Sequence, residues 1–146
     1  MSMRINIQEI EPAAYQAMFA LEKYLSTSQL DPILLELIKM RASQINGCAF
    51  CLNMHAADAR KIGETEQRLY LLSVWRETSL FTEAEQAVLA LTEEVTQISQ
   101  HVADDTYTKA AAFFDDHQLA QIIMAIVTIN AWNRIAISTK KTVGPK

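Results

Sequence analysis

Apolar residues return at intervals of three and four along almost the whole chain, and hardly anywhere at intervals of two, which predicts an all-α fold with no sheet. Pro12 suits the first turn of a helix whose stripe carries Tyr15, Met18, Phe19, Glu22 and Leu25 before Ser26-Thr27-Ser28 breaks it. Asp31-Pro32 is an N-cap followed by proline, and it starts a second helix with Leu34, Leu37, Ile38, Arg41 and Ile45 along one side, ending at Asn46-Gly47. A third helix runs to about Ile62 and stops at Gly63. A fourth covers Thr65 to Glu77, with Leu69, Leu72 and Trp75 on its apolar side. Thr82 and Glu85 have capping-box spacing and open a fifth that ends near Ser99. A short helix follows around Thr106 to Phe114, and Asp115-Asp116 caps a long last one from Gln118 to about Ser138. The pattern therefore predicts a helical bundle of about six or seven helices.

The chain has 146 residues, half of them apolar, enough to bury one core. We expect a single domain over 1–146, with its core at about 12–138 and a flexible tail at 139–146. The run IIMAIVTI in the last helix raises the question of a membrane span. Gln121, Thr128, Asn130, Asn133 and Arg134 interrupt it well short of the ~20 continuous apolar residues required, so the helix reads as a buried central or interface element and no membrane partner is expected. The net charge is −4 and the 13 lysines and arginines are scattered, which leaves no electrostatic footprint for nucleic acid. MSMRINIQEIEP lacks the apolar segment of a secretory signal, which predicts a cytoplasmic, reducing location.

That location makes the chain's two cysteines redox-active or metal-binding rather than a structural staple. Cys48 and Cys51 are three apart, so on one helix they share a face with Cα atoms roughly 5 Å apart, inside disulfide range. His55 lies four residues beyond Cys51 on the same face, in reach as a base or hydrogen-bond partner. Asn46-Gly47 just upstream places both thiols in the first turns, where unpaired N–H groups and the macrodipole favour a thiolate. Dipole reasoning alone favours Cys48 as the more acidic thiol, whereas proximity to His55 favours Cys51. Glu36 sits in the apolar setting ILLELI, where it is either buried and paired or exposed and partnered with Lys39 at i+3.

Other uses of such a pair fit less well. Structural zinc needs four ligands, and only Cys48, Cys51 and His55 cluster, with His101 and His117 far along the chain, so no metal is expected. Covalent haem attachment needs histidine directly after the second cysteine, where this chain has Leu52. A thioredoxin-like motif follows a strand, and here it follows a helix. Both cysteines as inert core residues is the plain alternative. Tyr24, Phe50, Trp75 and Trp132 are aromatic candidates for a pocket wall, each reading first as ordinary core or interface packing.

Glu36, eleven residues, Cys48-Ala49-Phe50-Cys51, three residues and His55 together resemble the signature of the alkyl hydroperoxidase D-like (AhpD-like) proteins of the carboxymuconolactone decarboxylase superfamily. MRASQINGCAFCLNMHAADARKIG, WRETSLFTEAEQAVLALTE and INAWNRIAIS are similar to that family too, so the resemblance covers about Ile33 to Ser138. It implies an all-helical fold, a homo-oligomer (trimer or hexamer) and thiol-dependent peroxidase activity on a hydroperoxide, with an external dithiol reductant and no cofactor. It further implies that Cys51 is the peroxidatic thiol, Cys48 the resolving one, and Glu36 with His55 a proton relay. One position departs: Phe50 stands where alkyl hydroperoxidase D has histidine. The decarboxylase branch lacks the CxxC pair, which argues against that reaction here. The alternative is a non-enzymatic dithiol redox switch or stress-response partner protein.

Overall fold

The computed structural model describes residues 2–144, and among them there are eight α-helices, two 3₁₀ segments and no strand. The helices are α1 (Ile7–Ile10), α2 (Pro12–Ser26), α3 (Pro32–Asn46), α4 (Ala49–Lys61), α5 (Glu66–Leu71), α6 (Glu83–Thr96), α7 (Asp104–Ala111) and α8 (Asp116–Ser138). The all-α prediction holds, with one short helix more than the pattern suggested. That helix, α1, is a single turn capped by Asn6, too short to carry a periodicity.

Capping chemistry sets the helix starts. The Asp31 carboxylate accepts the Ile33 N–H at 2.8 Å, with Pro32 in the first turn where its missing N–H costs nothing. Thr82 with Glu85, and Asp115 with Gln118, form reciprocal capping boxes at the heads of α6 and α8. The expected helix from Thr65 to Glu77 instead splits after Leu71 into a 3₁₀ stretch, Leu72–Glu77, with Val74 outside helical geometry. The tighter winding turns the Trp75 ring into the core beside Leu72 and Phe81 while its indole N–H reaches Glu93 at 3.1 Å.

Helix α3 is the hub, packed against α4, α6 and α8. Its Leu34, Leu35 and Ile38 meet Val88 and Leu91 of α6 and Ile122, Ala125 and Ile126 of α8, while Leu37 and Met40 face Leu72, Trp75 and Leu89. Length and apolar composition would allow α8 to cross a membrane. Here one face of it packs into the bundle, and polar side chains on that face pair internally. Asn46 donates to the side-chain oxygens of Asn130 and Asn133, both at 2.9 Å, and Asn133 donates to Ser43 Oγ at 3.1 Å. Leaving such buried amides unpaired would cost about 1–3 kcal/mol each, so the network fixes where the end of α3 meets α8.

The tail expected to be flexible begins with ordered contacts. Thr139 is buried and its carbonyl accepts the Arg4 N–H, and the Lys141 N–H donates to the Ala136 carbonyl, both at 2.9 Å. Residues 145 and 146 of that tail lie outside the described residues.

Two carboxylates cross-link the periphery. Burial alone would push Glu93 up, but hydrogen bonds from Arg76, Arg41 and Trp75 outweigh it and hold the group below its ordinary value of 4.5. Glu85 is lowered likewise, burial being overcome by Arg68 and by the Thr82 backbone, and Arg68 is correspondingly raised through Glu85 and Glu64. Depressed carboxylates stabilise the fold above the unfolded-state value and lose that contribution as pH falls through the folded one. The midpoint of urea unfolding should therefore drop as pH falls below about 4.5, and Glu93→Gln should unfold more readily at pH 7 with a smaller acid-induced drop. Equal acid sensitivity in wild type and variant would show that Glu93 carries none of it.

Candidate active site

The chain turns from α3 into α4 within two residues. Gly47 closes α3 in the left-handed region at φ 70°, where a Cβ is disfavoured, and Cys48 follows in extended geometry. Cys48 is thus not on the helix with Cys51, as the three-residue spacing had suggested. It is the N-cap of α4, and its sulfur takes the place of the usual capping oxygen by accepting the Cys51 N–H at 3.3 Å. The expected proximity holds, since the two Cα atoms are 5.4 Å apart and the sulfurs are joined as a disulfide. Both residues are buried against Ala42, Ile129 and Ala136.

One turn along α4, His55 is buried with its Nδ1 3.0 Å from Glu36 Oε2 on α3. Glu36 also has the expected i+3 partner, its other oxygen lying 3.7 Å from Lys39 Nζ, but it is largely enclosed and not the exposed carboxylate of that second reading. Lys39 is equally close, 3.7 Å, to Glu22 of α2, and Glu22 in turn accepts the Trp132 indole N–H at 2.9 Å. Indole, carboxylate, ammonium, carboxylate and imidazole therefore form one row across four helices, leading toward Cys51. Lys39 stands between two carboxylates and Glu36 between the ammonium and the imidazole, so the charged members at the centre of the row are each answered from two sides.

The row borders a pocket of about 380 Å³, within the roughly 300–1,000 Å³ range of small-molecule sites. Cys51 and His55 line it, and Cys48 does not. Of the aromatic candidates, Phe50 and Trp132 belong to its wall, whereas Trp75 is packed in the core and Tyr24 lies elsewhere on α2. Tyr15 and Phe19 complete the wall, their rings 5.3 and 5.9 Å from that of Trp132. Both sat on the predicted stripe of α2, where a residue facing a pocket cannot be told from one facing the core. Glu22, Lys39, Asp58 and Lys141 also line the pocket. Asp58 carried a usable signal, being seven residues beyond Cys51 on the same helical face.

Glu36, His55 and Asp58 bring three possible metal-ligand atoms within 4.8 Å of one another. The Lys39 ammonium already answers the negative charge that Glu36 would offer a cation.

Residues 12–94 match the model of the carboxymuconolactone decarboxylase family. The chain belongs to that family and is an AhpD-like member of it. It is 44% identical to the uncharacterized protein YdfG of Bacillus subtilis over 139 residues, 94% of this chain and 95% of that one. A crystal structure of a protein of unknown function from Agrobacterium tumefaciens, put forward as an antioxidant defence protein AhpD, is 41% identical. It superposes with a TM-score of 0.95 over 99% of this chain and 100% of that chain. The debrominase Bmp8 shares the fold alone, at 17% identity and a TM-score of 0.86 over 94% of this chain and 74% of its own.

Because Gly47 has open space around it but a left-handed backbone, Gly47→Ala should fold and lose about 1 kcal/mol of stability in urea unfolding. An unchanged midpoint would show that the turn relaxes freely, and so does not fix the position of Cys48.

Proposed function

We propose that the protein is a thiol-dependent peroxidase of the alkyl hydroperoxide reductase type, working by a dithiol/disulfide cycle in a reducing compartment such as the cytoplasm. The observation that carries this reading is the joining of Cys48 to Cys51 at the edge of a pocket that only Cys51 lines, one helical turn from the Glu36–His55 pair.

The cycle starts from two thiols. His55, oriented by Glu36, takes the Cys51 proton directly or through water, and the thiolate attacks the distal oxygen of ROOH. The O–O bond breaks, sulfur gains the oxygen as a sulfenic acid, and RO⁻ leaves as the alcohol with the proton His55 held. The Cys48 thiol then displaces hydroxide from that sulfur, giving the disulfide and water. An external dithiol restores both thiols by two exchange steps and becomes a disulfide itself. Cys48 is suited to resolve because its sulfur, as N-cap, is held beside Cys51 from the other side of the pocket wall. Phe50, in place of the histidine of alkyl hydroperoxidase D, puts an apolar ring where that protein has a polar one, which suits an organic hydroperoxide.

We further propose a homo-oligomer, trimer or hexamer, formed through the outer face of α8. Val127 is exposed there beside Ile98 and Tyr107, around an apolar cleft of about 600 Å³. Light scattering should show an assembly at micromolar concentration, and a monomer would remove this part of the reading.

A reductant-coupled assay with hydrogen peroxide and organic hydroperoxides tests the activity. We expect turnover on the organic substrates, loss of it in Cys51→Ser, a fall of about 10²-fold in kcat/KM for His55→Ala and a smaller fall for Glu36→Gln. If the pair oxidises with one equivalent of peroxide but never turns over with any dithiol, the redox-switch reading replaces this one.

A further inference from the structure

The wall of the pocket is chemically graded along α4. At the N-terminal end, Lys141 reaches in from beyond α8 with its Nζ 4.8 Å from the centre of the Phe50 ring and 5.8 Å from that of Tyr15. Its backbone is anchored by the hydrogen bond to Ala136, and its half-buried side chain lies over these two rings. At the other end lies Asp58, eight residues after Phe50 and so about 12 Å further along the helix axis.

The other cation of the pocket is already compensated, since Lys39 stands between Glu22 and Glu36 at 3.7 Å from each. Lys141 has no carboxylate within ion-pair distance among the described residues. The positive end of α4 adds a field of the same sign at that end of the pocket. Between the ammonium and the row of charges runs the aromatic surface of Tyr15, Phe19 and Trp132, with Cys51 at its edge.

From this we infer that the ligand is an amphipathic carboxylate. Lys141 holds its anionic end, and an aryl or alkyl body lies on Tyr15, Phe19 and Trp132, which brings the reacting end to Cys51. This rests on the peroxidase reading for the nature of the reacting end, the substrate being a carboxylated organic hydroperoxide. The gradient makes Lys141 a specificity residue: a neutral hydroperoxide with the same body uses the wall without the ammonium, and Asp58 disfavours the reversed orientation.

The test uses a matched pair, cumene hydroperoxide and its 4-carboxy derivative, together with the two alcohols that their reduction yields. Binding of the alcohols to the oxidised full-length protein, followed by calorimetry, needs no turnover. The carboxylated alcohol should bind about five- to ten-fold tighter than the neutral one. Lys141→Met keeps an apolar chain over Phe50 and should bring the ratio of the two affinities to near one, while Lys141→Arg should retain the preference. In turnover, kcat/KM should show the same preference and the same loss.

An equal affinity for both alcohols in the wild type, or a preference that survives Lys141→Met, overturns the inference. If neither peroxide is consumed but the Lys141-dependent binding is found, the anionic subsite stands and the peroxidase reading fails. Turnover of both peroxides with no Lys141-dependent preference has the opposite meaning.

Discussion

The site depends on one abrupt change of direction, at Gly47 and Cys48, that sets two helices face to face within two residues. A left-handed glycine ends α3 and an extended cysteine begins α4, so Glu36 in the second turn of the first helix comes opposite His55 in the second turn of the next. The same turn gives Cys48 a double role. Its sulfur satisfies an N–H group that the start of α4 would otherwise leave open, and it lies where it can bond to Cys51. The amides of Asn46, Asn130 and Asn133 secure the turn from behind by tying the last residue of α3 to α8.

Charge placement follows from that geometry. A carboxylate and an imidazole in so enclosed a position are stable only if the surroundings answer them, and Lys39 and Glu22 do so in sequence out to the Trp132 indole. The row therefore joins two functions in a single network. Its inner end holds the His55 imidazole one helical turn from Cys51, while its outer end fixes an aromatic ring of the pocket wall. Trp132 is held through Glu22 on one side and against Tyr15 and Phe19 on the other, so the shape of the pocket and the placement of the Glu36–His55 pair are physically coupled.

Much of this was legible in the chain. Helix starts at Asp31-Pro32, Thr82 and Asp115 follow from local hydrogen bonding, which sequence records directly. Glu36, Cys48, Cys51 and His55 could be gathered because three of them lie within two helical turns, and family resemblance supplied the fourth. What sequence hid was of other kinds. Spacing alone cannot tell a capping cysteine from a helical one, because both give nearly the same Cα separation. Tyr15 and Phe19 read as core because periodicity reports which face is apolar and not what that face meets. Glu22 and Lys141 come to the site from 29 and 90 residues away from Cys51, and no local pattern announces such contacts.

The two sulfurs occupy unequal positions, one lining the pocket and one behind it. The most direct measurement is to react the reduced Cys48→Ser protein with one equivalent of an organic hydroperoxide in the presence of a sulfenic-acid trap, then locate the label by mass spectrometry. With no resolving thiol the sulfenic acid should accumulate and be trapped on Cys51, with a stoichiometry near one. An unlabelled Cys51 in that protein, together with a labelled Cys48 when Cys51→Ser is treated the same way, would contradict the assignment and invert the roles of the pair.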